Sequence, residues 1–203
     1  MTIKRSHLDK SRLSPNFIGS WEIEDNLCNE LVNYFELNKG KHQLGITASG
    51  LNKETKDRVD ISLSPKDLTL PGNEVFHSYF KSLFECYKDY NNQWPFLASM
   101  INSLDIGKFN IGKYLPGQHF QKMHCERMGI SSLHRLFAFM TYLNDVKEGG
   151  STYFNHYDLE IKPKKGLTLI WPAEWTHSHK GNILISGEKY IITGWLTFPN
   201  SAQ

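Results

Sequence analysis

Four short runs decide the fold of this chain: IGKFNIGKY (Ile106–Tyr114), LFAFMTYL (Leu136–Leu143), LTLIW (Leu167–Trp171) and YIITGWLTF (Tyr190–Phe198). Each is rich in β-branched, aromatic and other apolar residues, and Gly, Pro and Asn recur between them. Short strands at regular spacing with turn signals between them predict a sandwich or barrel from Asn102 onward, over residues 102–198.

Upstream of these runs the texture changes. Leu27, Leu31, Val32, Tyr34 and Phe35 fall at helical spacing, as do Val75, Phe76, Tyr79, Phe80, Leu83, Phe84 and Tyr87, so residues 1–100 read as mostly helical. Asp25 and Asn73 are expected N-caps, and Gly40 is placed to end the first helix. Lys41 to Pro71 reads as a long surface connection with one short strand at Arg58–Leu63. Long connections in compact chains are often functional, which makes this one a candidate lid. Helices followed by β-structure, with no linker rich in Pro, Gly or Ser, give one α+β domain over residues 1–203 with a mainly β core.

Composition excludes several classes. With 203 residues, 39% apolar and 22% charged, the chain is long enough to bury one sizeable core. A formal net charge of +2 and a single short basic tract at Lys162, Lys164 and Lys165 create no field that calls for nucleic acid. No run reaches the roughly 18 apolar residues of a bilayer span, so a soluble chain without a membrane partner is expected. Cys28, Cys86 and Cys125 are an odd number without a CxxC pair, and MTIKRSHLDKSRL contains no apolar signal core; both point to a cytoplasmic setting. Oligomeric state is left open.

The chemistry lies in YLPGQHFQKMHCERMG (Tyr114–Gly129) and WTHSHKGNILISGEKYIITGW (Trp175–Trp195). They supply imidazoles, a carboxylate and a lysine. Two histidines and one carboxylate on a metal leave coordination positions open, the arrangement non-haem Fe(II) uses to hold a co-substrate and O₂. His-x-acid alone is weak, because 9 histidines and 21 acids among 203 residues give about one such triplet by chance. The chain has three, His7-x-Asp9, His124-x-Glu126 and His156-x-Asp158. On a strand, each would place its two side chains on one face, with α-carbons roughly 7 Å apart.

Context separates them. His124 sits in Tyr114-x-x-Gly117-x-x-Phe120-x-x-x-His124-x-Glu126, followed by TYLNDVKEGGSTYF (Thr141–Phe154) and the segment from His179 to Trp195. Over roughly residues 105–198 these motifs, in this order, resemble the 2-oxoglutarate- and Fe(II)-dependent dioxygenases, specifically their prolyl 4-hydroxylase-like branch. The resemblance implies a double-stranded β-helix, or jelly roll, on N-terminal supporting helices. It makes His124 and Glu126 the first two metal ligands, with Glu126 where most members carry Asp. Of the two candidates for the third ligand, His177 and His179, the resemblance favours His179, because Lys189 follows it by ten residues, where the family places the base for the far carboxylate of 2-oxoglutarate. Alternation then puts Lys189, Ile191, Thr193 and Trp195 on one strand face.

Tyr114 and Tyr142 match positions whose hydroxyls face 2-oxoglutarate in related hydroxylases. Gly149 and Gly150 fit a tight turn, Thr152 stands close behind the site, and Arg135, His119, Phe137 and Trp195 are expected to line or support the pocket. Asp158 is expected in a polar loop pair. The implied reaction is hydroxylation of a prolyl residue in a peptide or protein with Fe(II), 2-oxoglutarate and O₂, optionally with ascorbate, releasing succinate and CO₂. Free proline or another small amino acid is the alternative substrate, and a non-catalytic binding module the alternative class.

Overall fold

The computed structural model describes residues 3–6, 15–45, 50–101 and 103–199, so the triplet His7-x-Asp9 lies outside the described residues. In chain order the elements begin β1 (Lys4–Arg5), β2 (Gly19–Glu22), α1 (Asp25–Leu37), β3 (Gln43–Leu44), β4 (Val59–Leu63), α2 (Glu74–Gln93) and α3 (Pro95–Met100). Next come β5 (Asp105–Tyr114), β6 (Phe120–His124), β7 (Arg135–Tyr142), β8 (Glu148–Gly149), β9 (Thr152–Phe154) and β10 (Leu159–Ile161). The last are β11 (Leu167–Pro172), β12 (His179–Gly181), β13 (Leu184–Ser186) and β14 (Lys189–Thr197).

Eight strands form a major sheet in the order β1-β2-β11-β7-β14-β5-β4-β3, and a minor sheet has the order β10-β9-β12-β6. The β8–β13 pair makes a third, two-stranded sheet. All the strand pairings are antiparallel, which gives the jelly roll its two facing sheets. The four sequence runs are β5, β7, β11 and β14, the centre of the major sheet.

β7 shows why its sequence is continuously apolar instead of alternating. Phe137 and Phe139 join α1 and α2 residues such as Phe35, Phe76 and Phe80 in one core, while Ala138, Met140 and Tyr142 join Phe154, Leu169 and Trp171 in a second core inside the roll. A sheet covered on both faces needs apolar residues at every position. Expectations for the helices are met with changes in detail. Glu24, not Asp25, occupies the α1 cap position, and Asp25 lies in the first turn, where a negative charge suits the helix dipole. Asn73 does cap α2 by position, but its side chain is spent elsewhere, accepting from Tyr34 Oη at 2.8 Å and donating to Asp67 O at 2.6 Å.

The strand expected at Arg58–Leu63 is β4, which pairs with β5, and residues 1–100 hold a further strand, β2, which pairs with β11, so the sheet extends on both sides. A strand of four residues such as β2 offers too little alternation to stand out beside two strong helices. Among the described residues no helix is long and apolar enough to cross a membrane.

Candidate metal and co-substrate site

β12 lies antiparallel to β6 and puts His179 directly opposite His124. The two rings are 4.5 Å apart between centroids. Glu126 is not on the strand with His124; it follows β6 in a bend whose backbone is pinned, since Glu126 N and Arg127 N both donate to Ala173 O at 3.2 and 2.9 Å. From there its Oε1 reaches 3.4 Å from His179 Nε2 and 3.7 Å from His124 Nε2. One donor atom of each of the three residues lies within 4.8 Å of the others.

The imidazole tautomers follow from the backbone. His124 Nδ1 lies 2.8 Å from Lys122 O, and His179 Nδ1 lies 2.9 Å from His177 O. A carbonyl oxygen only accepts, so each Nδ1 carries the proton and each neutral ring keeps its lone pair on Nε2, aimed at Glu126 Oε1. Burial, with His179 and Arg58 close by, pushes His124 down to about 4. Burial pushes Glu126 up, but the neighbouring His179 and His124 rings and the Trp195 indole outweigh it and hold the carboxyl down at about 2. A neutral imidazole and an ionised carboxylate are the states a divalent ion requires, and two neutral nitrogens with one carboxylate oxygen suit Fe(II).

Glutamate in place of aspartate is accommodated by a second anchor. Trp195 Nε1 donates to Glu126 Oε2 at 2.6 Å, leaving Oε1 toward the histidines. Arg135 lies over the Trp195 ring, 3.6 Å from its centroid, and donates from Nη1 to Glu126 O at 3.0 Å. His179 packs against Phe154 and Trp171 at 5.3 and 5.1 Å, and Phe120 stacks on His124 at 4.1 Å, so the centre has apolar walls.

Lys189 is 2% exposed. It is the cross-strand neighbour of Tyr114, and its Nζ lies 4.0 Å from that ring's centroid and donates to Gly150 O at 2.8 Å. Burial, with the nearby charge of Arg58, lowers Lys189 to about 7. Gly150 makes this possible: its φ is +69°, and an added Cβ would stand 3.1 Å from Lys189 Cδ. Tyr114 Oη accepts from Arg58 Nη1 at 2.8 Å, which keeps the phenolic proton for donation to a carboxylate. Tyr142 is buried beside these groups, but its hydroxyl already shares a hydrogen bond with Thr152 Oγ1 at 2.7 Å and donates to Ile161 O at 3.2 Å.

Other expected positions separate by strand parity. Phe137 does not line the pocket; it faces the helices and packs on Tyr87 and Tyr90, because its neighbour Ala138 takes the inward face. Thr193 donates to Phe139 O at 3.0 Å, while Ile191 and Trp195 face inward with Lys189. His119 serves through its backbone, forming a two-way bridge with Asp57. His177 is buried with Nε2 2.9 Å from Asn16 O and Nδ1 3.0 Å from Thr176 Oγ1, so it is turned away from the three ligands. His156 and Asp158 sit in a surface turn where Asp158 has φ +49° and accepts from Tyr153 Oη at 3.0 Å. A cleft of about 310 Å³ between α1 and the turn at Leu143 and Asn144 shares no residue with the centre.

Lys56, Arg58 and Asp60 are the residues that sequence reading missed. All three are buried, at 6%, 4% and 3% exposure, in a segment expected on the surface. Lys-x-Arg-x-Asp ahead of Ile61 and Leu63 carried the signal, since positions two apart on a strand share a face.

Residues 109–197 match the model of the 2OG-Fe(II) oxygenase superfamily. A probable prolyl 4-hydroxylase 9 of Arabidopsis thaliana is 31% identical over 90 residues, covering 34% of this chain and 31% of that protein, so the match spans about a third of the relative's length. Among solved structures, a viral collagen prolyl hydroxylase from Paramecium Bursaria Chlorella virus-1, in complex with 2OG, superposes with a TM-score of 0.65 at 20% identity, covering 90% of this chain and 97% of that one. A prolyl hydroxylase from Trichoplax adhaerens, in complex with a peptide fragment of the hypoxia inducible factor oxygen degradation domain, gives 0.64 at 17% identity, covering 92% and 86%. Taken with the jelly roll and its two-histidine, one-carboxylate centre, these matches make residues 109–197 similar to the 2OG-Fe(II) oxygenase superfamily, and the fold of the chain is that of solved prolyl hydroxylases.

Proposed function

We propose that this protein hydroxylates a prolyl residue in a peptide or protein, using Fe(II), 2-oxoglutarate and O₂ and releasing succinate and CO₂. The reading rests on one observation above all. His124, Glu126 and His179 present converging donors, and Tyr114, in the same core as the Phe154 and Trp171 that pack on His179, faces a buried lysine that has this tyrosine and a backbone carbonyl for company but no carboxylate on it in any hydrogen bond or ion pair described. A buried ammonium calls for a counter-charge, and a dicarboxylate that also reaches the metal supplies it.

In this reading the bound metal and 2-oxoglutarate supply oxidation of a C–H bond by O₂. The chain's own residues do the rest. The Lys122 and His177 carbonyls fix the ring orientations, Trp195 fixes Glu126, Lys189 and Tyr114 hold the far carboxylate, and Phe120, Phe154 and Trp171 keep water from the centre. A prolyl substrate is supported by the named relatives, one solved with a peptide. Residues 1–203 act as one catalytic unit, and three free cysteines, two of them buried, suit a cytoplasmic setting.

Anaerobic addition of Fe(II) and then 2-oxoglutarate tests the first half; a weak visible charge-transfer band is expected, and its loss in Lys189→Met. Air and prolyl peptides test the second, with a gain of one oxygen by mass spectrometry. Absence of both band and succinate would overturn the proposal.

A further inference from the structure

The strand registers set one row of each sheet across the roll from the other. In the minor sheet His179 is opposite Phe154 on one side and His124 on the other. In the major sheet Ala138 is opposite Trp171 on one side and Trp195 on the other. Directly paired residues of antiparallel strands share a face, so each row is a line of three side chains across its sheet. Contacts join the two rows: Trp171 meets Phe154 and His179 edge-on, with ring centroids 5.4 and 5.1 Å apart, and Trp195 reaches Glu126. Facing sheets stand about 10 Å apart, and the middle of the major-sheet row contributes only a methyl group. The row therefore leaves space over Ala138, flanked by two indoles, on the side of the two histidines.

The indole donors differ in what they hold. Trp195 Nε1 is spent on Glu126 Oε2, and Trp21, in the other core, gives its Nε1 to Asp89 Oδ2 at 2.8 Å. Trp171 is 2% exposed, and its Nε1 is shut off from solvent with no acceptor among the described residues. Its ring neighbours cannot provide one. Phe154 has no polar atom, while His179 has its Nδ1 proton on His177 O and its Nε2 turned to Glu126. A buried N–H nearly always has a partner, and leaving it without one forfeits its hydration for nothing. The acceptor must then come with a molecule that enters beside His179.

We propose that Trp171 Nε1 donates a hydrogen bond to 2-oxoglutarate, at the carboxylate beside the keto group, the end that chelates the metal. Both acceptors that the chain itself gives to an indole, Asp89 and Glu126, are carboxylates, and a bond to a charged oxygen is the stronger kind. Lys189 and Tyr114 then hold one carboxylate of the co-substrate and Trp171 the other. The inference rests on the oxygenase reading above and adds to it a second residue that binds the co-substrate, on the opposite side from Lys189.

Protein carrying isotope-labelled tryptophan gives one indole N–H signal per tryptophan, and Trp171→Phe identifies the signal of Trp171. Zn(II), a diamagnetic ion, is added first, then 2-oxoglutarate, then a prolyl peptide. The Trp171 signal is expected to stay in place with Zn(II), to move downfield and exchange more slowly with solvent once 2-oxoglutarate is present, and to stay there with the peptide. Calorimetry on the Mn(II) protein is the second reading: Trp171→Phe should weaken 2-oxoglutarate at least about tenfold, as for loss of a hydrogen bond to a charged group, and change Mn(II) affinity by less than about twofold. A signal that moves fully with Zn(II) gives the donor to a water on the metal, and one that moves only with peptide gives it to the substrate. Either result overturns the proposal, as does a signal unmoved throughout or an unchanged 2-oxoglutarate affinity in the variant. If Trp171→Phe does not fold, the signal is assigned through its Overhauser contacts with Phe154, and the unaltered protein decides alone. No heat of 2-oxoglutarate binding to the unaltered protein counts against the oxygenase reading instead.

Discussion

Trp195 Nε1 holds Glu126 Oε2 at 2.6 Å, and this one bond explains how a glutamate serves where a shorter acid is usual. The Glu126 backbone is fixed by Ala173 O, so the extra methylene carries the carboxylate outward until the indole stops it with Oε1 facing both histidines. Trp195→Phe keeps the ring under Arg135 but removes the donor. Iron affinity, followed by titrating the anaerobic charge-transfer band, is expected to fall about 10- to 100-fold, the usual range for losing a group that orients a metal ligand. An unchanged affinity would show that the indole does not position Glu126.

Lys189 sets a pH dependence whose sign is fixed by its burial. In the empty pocket its pKa is lowered to about 7, chiefly by desolvation, while a bound carboxylate favours the charged form and raises it. Below about pH 7 the lysine is already protonated, and it adds no pH dependence to 2-oxoglutarate binding. Above about pH 7 binding must take up a proton, so the Kd weakens by as much as about tenfold per unit until the pKa of the complex is reached. Calorimetry in two buffers of different ionisation enthalpy, at about pH 8, reads that proton directly. No proton uptake, with a Kd flat across the alkaline side, is the result that defeats it.

Gly150 tests how closely the pocket is built. An alanine there must hold φ +69° and meet Lys189 Cδ at 3.1 Å. The backbone strain alone is worth about 1 kcal/mol or more, and displacement of Lys189 adds a specific loss. Gly150→Ala is expected to lower stability modestly in urea but to weaken 2-oxoglutarate about tenfold or more. Gly187→Ala, also at positive φ with open space around it, is expected to share the first effect without the second. Equal 2-oxoglutarate affinity in the two variants would sink the argument.

What could be read in the sequence was whatever local spacing carries. β5, β7, β11 and β14 were visible because each is a long apolar run in the centre of the sheet, whereas Lys189 was singled out only through the family resemblance, which places a base about ten residues after the distal histidine. Phe137 was misplaced because β7 is apolar on both faces, so composition alone does not say which aromatic points inward. The cluster at Lys56, Arg58 and Asp60 was missed for the opposite reason: charged residues look solvated until the third partner, here Tyr114 on β5, shows that they share a buried face. Anchors such as Trp195 on Glu126 join residues 69 positions apart and exist only once the sheet is assembled.

The helical layer is coupled to the roll by a hydroxyl relay that gives a final prediction. Tyr79 Oη on α2 lies 3.0 Å from Thr141 Oγ1 on β7, which lies 2.8 Å from Thr168 Oγ1 on β11, and Thr168 donates onward to Gly166 O at 3.2 Å. All three residues are buried, so Thr141→Val strands the Tyr79 hydroxyl, while Thr168 keeps its bond to Gly166 O, and the change is expected to destabilise the protein by about 1–3 kcal/mol. Tyr79→Phe added to that variant removes the stranded group. The double variant should therefore lose less than the sum of the singles by at least about 0.5 kcal/mol in urea denaturation. Because the relay lies on the helix side of the major sheet, away from Lys189 and Tyr114, 2-oxoglutarate affinity at a temperature where the variants are folded should match the unaltered protein within about twofold. Strict additivity, or a large loss of 2-oxoglutarate binding, would mean that the two faces of the sheet are not separable in the way the packing indicates.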